Sequence, residues 1–194
     1  MKQELIIKNM VCERCIRVVK EELEAVGFSP LEVQLGKAVV TSQRDDIDLK
    51  IVRRVLEDNG FELLVDKKAS LVEKIKIVII NLIYQNQLEN LNRNLSDVIA
   101  DEVGRDYSYL SNLFSSVERI TIEKYIILQK IERVKELLVY EELTLSEIAY
   151  QVGYSSVQHL SGQFKSVTGL TPSHFKSIRT QRRILIDKLG SPAT

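Results

Sequence analysis

Two thiols raise the first chemical question. Cys12 and Cys15, the only cysteines among 194 residues, stand three positions apart in the run NMVCERC. At that spacing the first falls in a loop and the second in the first turn of the following helix, so the sulfurs can converge. The unsatisfied N–H groups of a helix start, with Arg14 and Arg17 close by in sequence, favour the thiolate forms that bind soft metals. Two thiolates without an accompanying histidine suit near-linear Cu(I), whereas Zn(II) would need ligands from outside. A lone CxxC leaves structural packing and thiol redox chemistry open beside metal capture. His159 and His174 lie far along the chain and are read as surface or partner-facing residues without a metal role.

To hold those sulfurs, the first third of the chain must fold around them. Glu4 to Lys8 reads as a strand and Arg14 to Val26 as a helix stopped by Gly27. Leu31 to Leu35 and Lys37 to Thr41 make a hairpin about Gly36. A second helix, about Asp48 to Asp58, carries Ile51, Val52 and Val55 at helical spacing and stops at Asn59 and Gly60, before a last strand from Phe61 to Val65. The order βαββαβ predicts a ferredoxin-like α+β domain over residues 1–66.

After Asp66, Lys67 and Lys68 the pattern turns helical, which puts a linker at 67–69, an all-α domain over 70–188 and a tail at 189–194. Ser70 with Glu73 reads as a capping box ahead of Leu71, Ile75, Val78 and Leu82. Further helix starts are signalled by Asn94, by Thr144 with Glu147, by Ser155 with Gln158 and by Thr171 before Pro172. Ile122 to Leu138 contains neither Gly nor Pro and reads as a long helix joining two halves.

Those halves repeat. Ala100, Gly104, Leu110 and Phe114 return as Ala149, Gly153, Leu160 and Phe164, an offset of about fifty. In each copy a small Ala lets two helices cross closely, a Gly permits the positive φ of a tight turn, and Leu and Phe anchor a second helix whose outer face stays open. This is the helix-turn-helix pattern, and two copies argue against the plainer reading of a helical bundle with one incidental hairpin. The formal net charge is zero, so affinity for nucleic acid has to come from placement. Beyond the second copy six basic residues, Lys165 to Lys188, face the single carboxylate Asp187, an arrangement suited to phosphate.

At this point two resemblances enter. Residues 70–180 resemble the DNA-binding domain of the AraC/XylS family, most closely in LSEIAYQVGYSS, LSGQFKSVTGLTPSHFK and KIERVKELL. The resemblance implies two helix-turn-helix units joined by a long helix, with helices starting near Asp106 and Ser155 entering successive major-groove segments on one face of double-stranded DNA. It places Ser108, Ser111 and Asn112, then Gln158, Ser161 and Gly162, toward base edges, and Tyr107, Lys165, His174, Lys176 and Arg179 toward phosphates. Many members carry Arg where this chain has Asn112 and Gly162; Asn112 and Gln158 could read adenine, and Gly162 can read nothing. Residues 1–66 resemble the heavy-metal-associated domain of copper chaperones and metal-pumping ATPases, through the βαββαβ order, Met10 two before Cys12, and GFELL at 60–64. That resemblance implies Met10 buried under the loop and Phe61 approaching from the opposite one, neither being a ligand. The family's usual Gly and Thr are Asn9 and Val11 here, and Val11 provides no acid ahead of Cys12, unlike the zinc-exporting members.

Taken together, the sequence predicts a cytoplasmic, bacterial-type transcription regulator, with Cu(I), or less well Zn(II), at Cys12 and Cys15 as its signal. The alternatives are a small domain used for dimerisation or for another ligand or partner, and a metal-delivery protein that binds no DNA. Candidate partners besides DNA are a second copy of the chain, a metal-trafficking protein and RNA polymerase, with no membrane. No Ser/His/Asp constellation, phosphate loop or paired-carboxylate pattern stands out, and no enzyme activity is expected. A thioredoxin-like reading lacks both the Trp-Cys-Gly-Pro-Cys pattern and the chain length of that fold.

Overall fold

A computed structural model describes residues 2–10, 13–41, 48–88, 91, 93–140 and 142–178. Cys12, Arg179 and the basic end beyond it lie outside the described residues. The chain forms two compact units, one from Met1–Val78 with Leu95–Arg119, the other from Ile79–Asn94 with Ile120–Thr194. No helix among the described residues is long and apolar enough to cross a membrane.

The first unit begins with β1 (Lys2–Lys8), α1 (Glu13–Ala25), β2 (Ser29–Gln34), β3 (Lys37–Thr41), α2 (Leu49–Asp58) and β4 (Glu62–Leu64). The strands form one antiparallel sheet in the order β2-β3-β1-β4. Alternation along the strands sends Leu5 and Ile7 of β1, Ala38 and Val40 of β3, and Leu63 of β4 to one face. There they meet Val19 and Leu23 of α1 and Val52 and Leu56 of α2, spaced one helical turn apart. Asp48, which caps α2, accepts from the Lys50 N–H at 2.9 Å.

The opposite sheet face is covered as well. Here α3 (Lys67–Tyr84) starts three residues before the expected capping box, because Asp66 caps it: its Oδ1 accepts from the Ala69 N–H at 2.8 Å, and its carbonyl from the Ser70 N–H at 2.9 Å. Residues 67–69 are therefore the first turn of a helix and not a linker, and Ser70 donates its hydroxyl to Leu64 O instead of capping. Two features seat α3 on the sheet. Glu4 accepts from Lys74 at 2.6 Å and from Lys37 at 3.1 Å, and the Lys74 ammonium, the largest influence, holds the Glu4 carboxyl below its usual range. Gly36, with φ of +72°, lies where any Cβ would collide with the side chain of Ile77.

The first helical hairpin consists of α4 (Leu95–Val103) and α5 (Tyr107–Glu118), and the same stretch of α3 reaches the end of α5 through Lys76. Ile99, Leu110 and Phe114 are fully buried within the hairpin, each contributing on the order of 2 kcal/mol. Lys76 Nζ lies 2.7 Å from Glu118 and 4.0 Å from Glu73. Burial is the main cause that pushes the Glu73 carboxyl up, with Glu118 and Glu62 adding to it and Lys76 and Lys8 opposing it.

The second unit contains the rest of α3, then α6 (Ile122–Tyr140), α7 (Leu145–Gln151), α8 (Val157–Thr168) and a further helical stretch at 172–178. Ile131, Val134 and Leu138 of α6 pack with Ile148 and Ala149 of α7 and with Leu160 and Phe164 of α8. The Phe175 ring meets Phe164 edge to face at 5.6 Å. From α3, Tyr84 donates to Glu136 of α6 at 3.1 Å while the Arg133 guanidinium lies 4.9 Å from the Tyr84 ring. Burial, then Glu136, push the Tyr84 hydroxyl up to about 12.

The half-buried ion cluster in the first unit makes a signed prediction. The folded-state pKa of Glu73 is raised, so its ionised carboxylate opposes folding at neutral pH, and the opposition fades as pH falls through the folded value. Glu73→Gln is expected to raise the urea midpoint at pH 7, with the gap to the parent closing on acidification. Lys76→Ala, which leaves Glu73 and Glu118 without its charge, is expected to cost about 1–3 kcal/mol. A gap that widens in acid contradicts this reading.

Candidate nucleic-acid interface

The site is built from the two turns that launch α5 and α8. After α4, Gly104 takes φ of +70° and the Arg105 N–H returns to Ala100 O at 3.1 Å. After α7, Gly153 takes φ of +72° and the Tyr154 N–H returns to Ala149 O at 2.8 Å. Both are the six-to-one closure of a helix ending in a left-handed residue. The copies then diverge by one residue. Asp106 caps α5 two positions after its glycine, whereas Ser156 caps α8 three positions after its own. The expected cap at Ser155 is therefore corrected to Ser156, whose hydroxyl accepts from the His159 N–H at 3.1 Å. The extra residue lets Tyr154 turn inward, where it is buried.

The second turn is also held from α6. Lys130 donates to Gly153 O at 3.2 Å and stands 5.0 Å over the Tyr154 ring, and its burial pulls the ammonium pKa down. Tyr154 donates to Gln163 Oε1 at 2.6 Å, and burial pushes its hydroxyl up to about 12. Gln151 donates to Asn86 Oδ1 at 2.6 Å. The helix before the turn starts from the expected capping box, in which Thr144 and Glu147 satisfy each other's backbone N–H groups.

Counted from the caps, the copies align residue for residue: Ser108 with Gln158, Ser111 with Ser161, Asn112 with Gly162. Ser108, Asn112, Gln158 and Gly162 are exposed, and Ser111 and Ser161 are half-buried on the flank. Beside Gly162 a Cβ would meet nothing within 4 Å. Ser108 is less available than its type suggests, because its hydroxyl donates to Asp106 Oδ1 at 2.6 Å and leaves only acceptor capacity outward. Tyr107 is half-buried at the first helical position; Lys165 and His174 are exposed and Lys176 is half-buried. Cys15 is half-buried in the first turn of α1 and packs against the sheet core, in which Met10 and Phe61 are also buried.

Sequence reasoning missed two things. Tyr109, which it did not single out, occupies the same third helical position as His159; both are exposed, as expected for His159, which lies edge-on to Tyr154 at 5.3 Å. The repeat also runs further than the hairpins. Arg119 and Gly169 both end their helices in the left-handed conformation, and Thr121 and Thr171 then cap the next helical stretch of each copy by accepting from the N–H groups of Lys124 (3.2 Å) and His174 (3.3 Å). Extending the fifty-residue offset past Phe114 pairs Lys124 with His174, which the reading of 122–138 as a plain joining helix concealed.

Comparison with known proteins agrees with this geometry. A family model described as a helix-turn-helix domain matches residues 99–178. An HTH-type transcriptional regulator from the cgkA 5' region of Pseudoalteromonas carrageenovora is 33% identical over 116 residues, which span 57% of this chain and 68% of that protein. The melibiose operon regulatory protein of Escherichia coli K12 is 22% identical over 178 residues, 86% of this chain and 59% of its own length. Among solved structures, the C-terminal domain of the response regulator AraT from Geobacillus stearothermophilus superposes with a TM-score of 0.50 at 24% identity, covering 59% of this chain and 89% of that one, a likeness of fold. The chain belongs to the AraC-type helix-turn-helix transcriptional regulators, a non-enzymatic family whose domain binds DNA.

The two turns separate backbone strain from packing. Gly104 and Gly153 share nearly the same φ, yet a Cβ at Gly104 meets nothing, while at Gly153 it would come 3.0 Å from Leu88 Cβ and 3.4 Å from Lys130 Nζ. Gly104→Ala is expected to cost about 1 kcal/mol and Gly153→Ala roughly 2–4 kcal/mol in denaturant titrations. Equal losses would mean that the second turn is not closely packed.

Proposed function

We propose that the chain is a sequence-specific regulator that lays α5 and α8 in successive major-groove segments, acting in the bacterial cytoplasm. The observation that carries this is the cap-to-cap equivalence of the two helices, which gives both the same outward positions behind the same turn. Asn112 and Gln158 are the side chains able to make the paired donor and acceptor contact that adenine offers. Tyr107, Lys165, His174, Lys176 and Arg179 are assigned to phosphates, where they fix register without reading sequence. Residues 1–66 form the signal-receiving domain, ferredoxin-like in element and strand order, and the helical DNA-binding domain follows from α3 onward.

For the small domain, recognition of a partner, a second copy or another ligand is the first reading. Copper(I) at Cys12 and Cys15 is the second, supported by the place of Cys15 in the first turn of α1, directly after the loop that carries Cys12 in the sequence. Two cysteines without a neighbouring histidine in sequence suit a two-coordinate ion better than tetrahedral zinc.

The test is duplex selection from a randomised pool by the full-length protein, followed by affinity measurements on the recovered sequence. Asn112→Ala and Gln158→Ala are expected to relax preference at separate positions by about 1–3 kcal/mol each, and Lys176→Ala to weaken all duplexes alike with a shallower salt dependence. Uniform effects from all three would overturn these roles. Repeating the measurement with Cu(I), with chelator and with a Cys12→Ser, Cys15→Ser variant decides the second reading: unchanged affinity throughout removes metal control.

A further inference from the structure

The two recognition helices begin with different chemistry at one equivalent position. Asp106 caps α5, and its Oδ1 accepts from the Ser108 N–H at 2.9 Å, the Ser108 hydroxyl at 2.6 Å and the Tyr109 N–H at 3.2 Å. Ser156 caps α8 with a neutral hydroxyl. A helix start ordinarily attracts phosphate through its open N–H groups and the positive end of its dipole. A carboxylate fixed there takes up the N–H groups and sets a negative charge where a phosphate would approach.

The surroundings of each cap point the same way. Between residues 95 and 119, Asp97, Asp101, Glu102 and Glu118 join Asp106 against only Arg105 and Arg119. Over the matching span, 145 to 169, Glu147 alone faces Lys165, and Glu118 of the first span is paired with Lys76 of α3. The first hairpin is thus acidic on balance and the second neutral. On α5 the exposed groups between Asp106 and Arg119 are uncharged, with Asn112 the one whose donor and acceptor sit side by side on an amide that matches adenine.

Resting on the regulator reading above, we propose that Asp106 weakens the hold of the first recognition helix on the phosphate backbone, so that the second helix-turn-helix supplies the larger share of the charge-driven affinity. Phosphate contacts set affinity and its salt dependence, and base contacts set specificity. Binding by the first copy then depends more on its base contacts than binding by the second does.

The experiment exchanges the caps in the full-length chain. Asp and Ser are comparably good capping residues, so Asp106→Ser and Ser156→Asp both preserve the helix start, which circular dichroism and thermal melting verify. The probes are the duplex recovered by the parent protein from a randomised pool and an unrelated duplex of equal length. Asp106→Ser is expected to bind both duplexes roughly 3- to 10-fold more tightly, with a log–log salt slope steeper by about 0.9, and to narrow the ratio between them. Ser156→Asp is expected to weaken both roughly 10-fold, with a shallower slope. Unchanged affinity and slope in either variant, at preserved folding, overturns the proposal while leaving the regulator reading in place. A parent protein that recovers no sequence from the pool overturns that reading itself.

Discussion

Presentation of a recognition helix depends on a sharp reversal of the chain that a side chain would obstruct. At Gly153 the backbone takes φ of +72°, the next N–H closes back on Ala149 O, and Leu88 stands too close for a Cβ. With that turn made, Leu160 and Phe164 fall into the core beside Ile131 and Val134, and the outer face of α8 is left to solvent. Lys130 fixes the turn from α6 by a bond to the Gly153 carbonyl. The first copy reaches the same outcome through Gly104, with one residue fewer before the cap and fully buried Leu110 and Phe114 beneath. Each outward position is set by these constraints, since a helix fixed by its cap and its buried residues has only one face left to offer.

The α3 helix gives the small domain a physical route to the first of these hairpins. Its early turns lie on the sheet face opposite α1 and α2, held by the Glu4 ion pairs and by the space at Gly36. Between Lys74 and Ile77, Lys76 reaches Glu118 at the end of α5 within the same compact unit. Isolated exposed ion pairs contribute under about 1 kcal/mol, but Lys76, Glu73 and Glu118 are largely shielded from solvent, so removing the Lys76 charge costs more than that. A ligand of the small domain could alter DNA binding only if it favoured one arrangement of such contacts over another.

Much of this was legible in the sequence, for identifiable reasons. Period-two and helical spacing placed every element of the first sixty-six residues within about two positions, because α1 and α2 bury one face and the strands are short apolar runs bounded by turn residues, although β1 and β3 bury both faces. The duplicated Ala, Gly, Leu and Phe marked both hairpins. The start of α3 was misplaced because Ser70 and Glu73 mimic a capping box, whereas the cap is Asp66, whose role shows only through its bond to the Ala69 N–H. Ser155 and Ser156 are adjacent and chemically alike, so only the length of the turn decides between them. The outward availability of Ser108 could not be read either, since its hydroxyl is taken by a neighbour two positions away.

The central claim is that two equivalent helices read neighbouring stretches of one DNA duplex. Hydroxyl-radical footprinting of the full-length protein on a duplex recovered from a randomised pool tests it most directly. Two protected segments on one face of the duplex, separated by about one helical turn, are the predicted result. A single protected segment, or protection that wraps the duplex without periodicity, would contradict it.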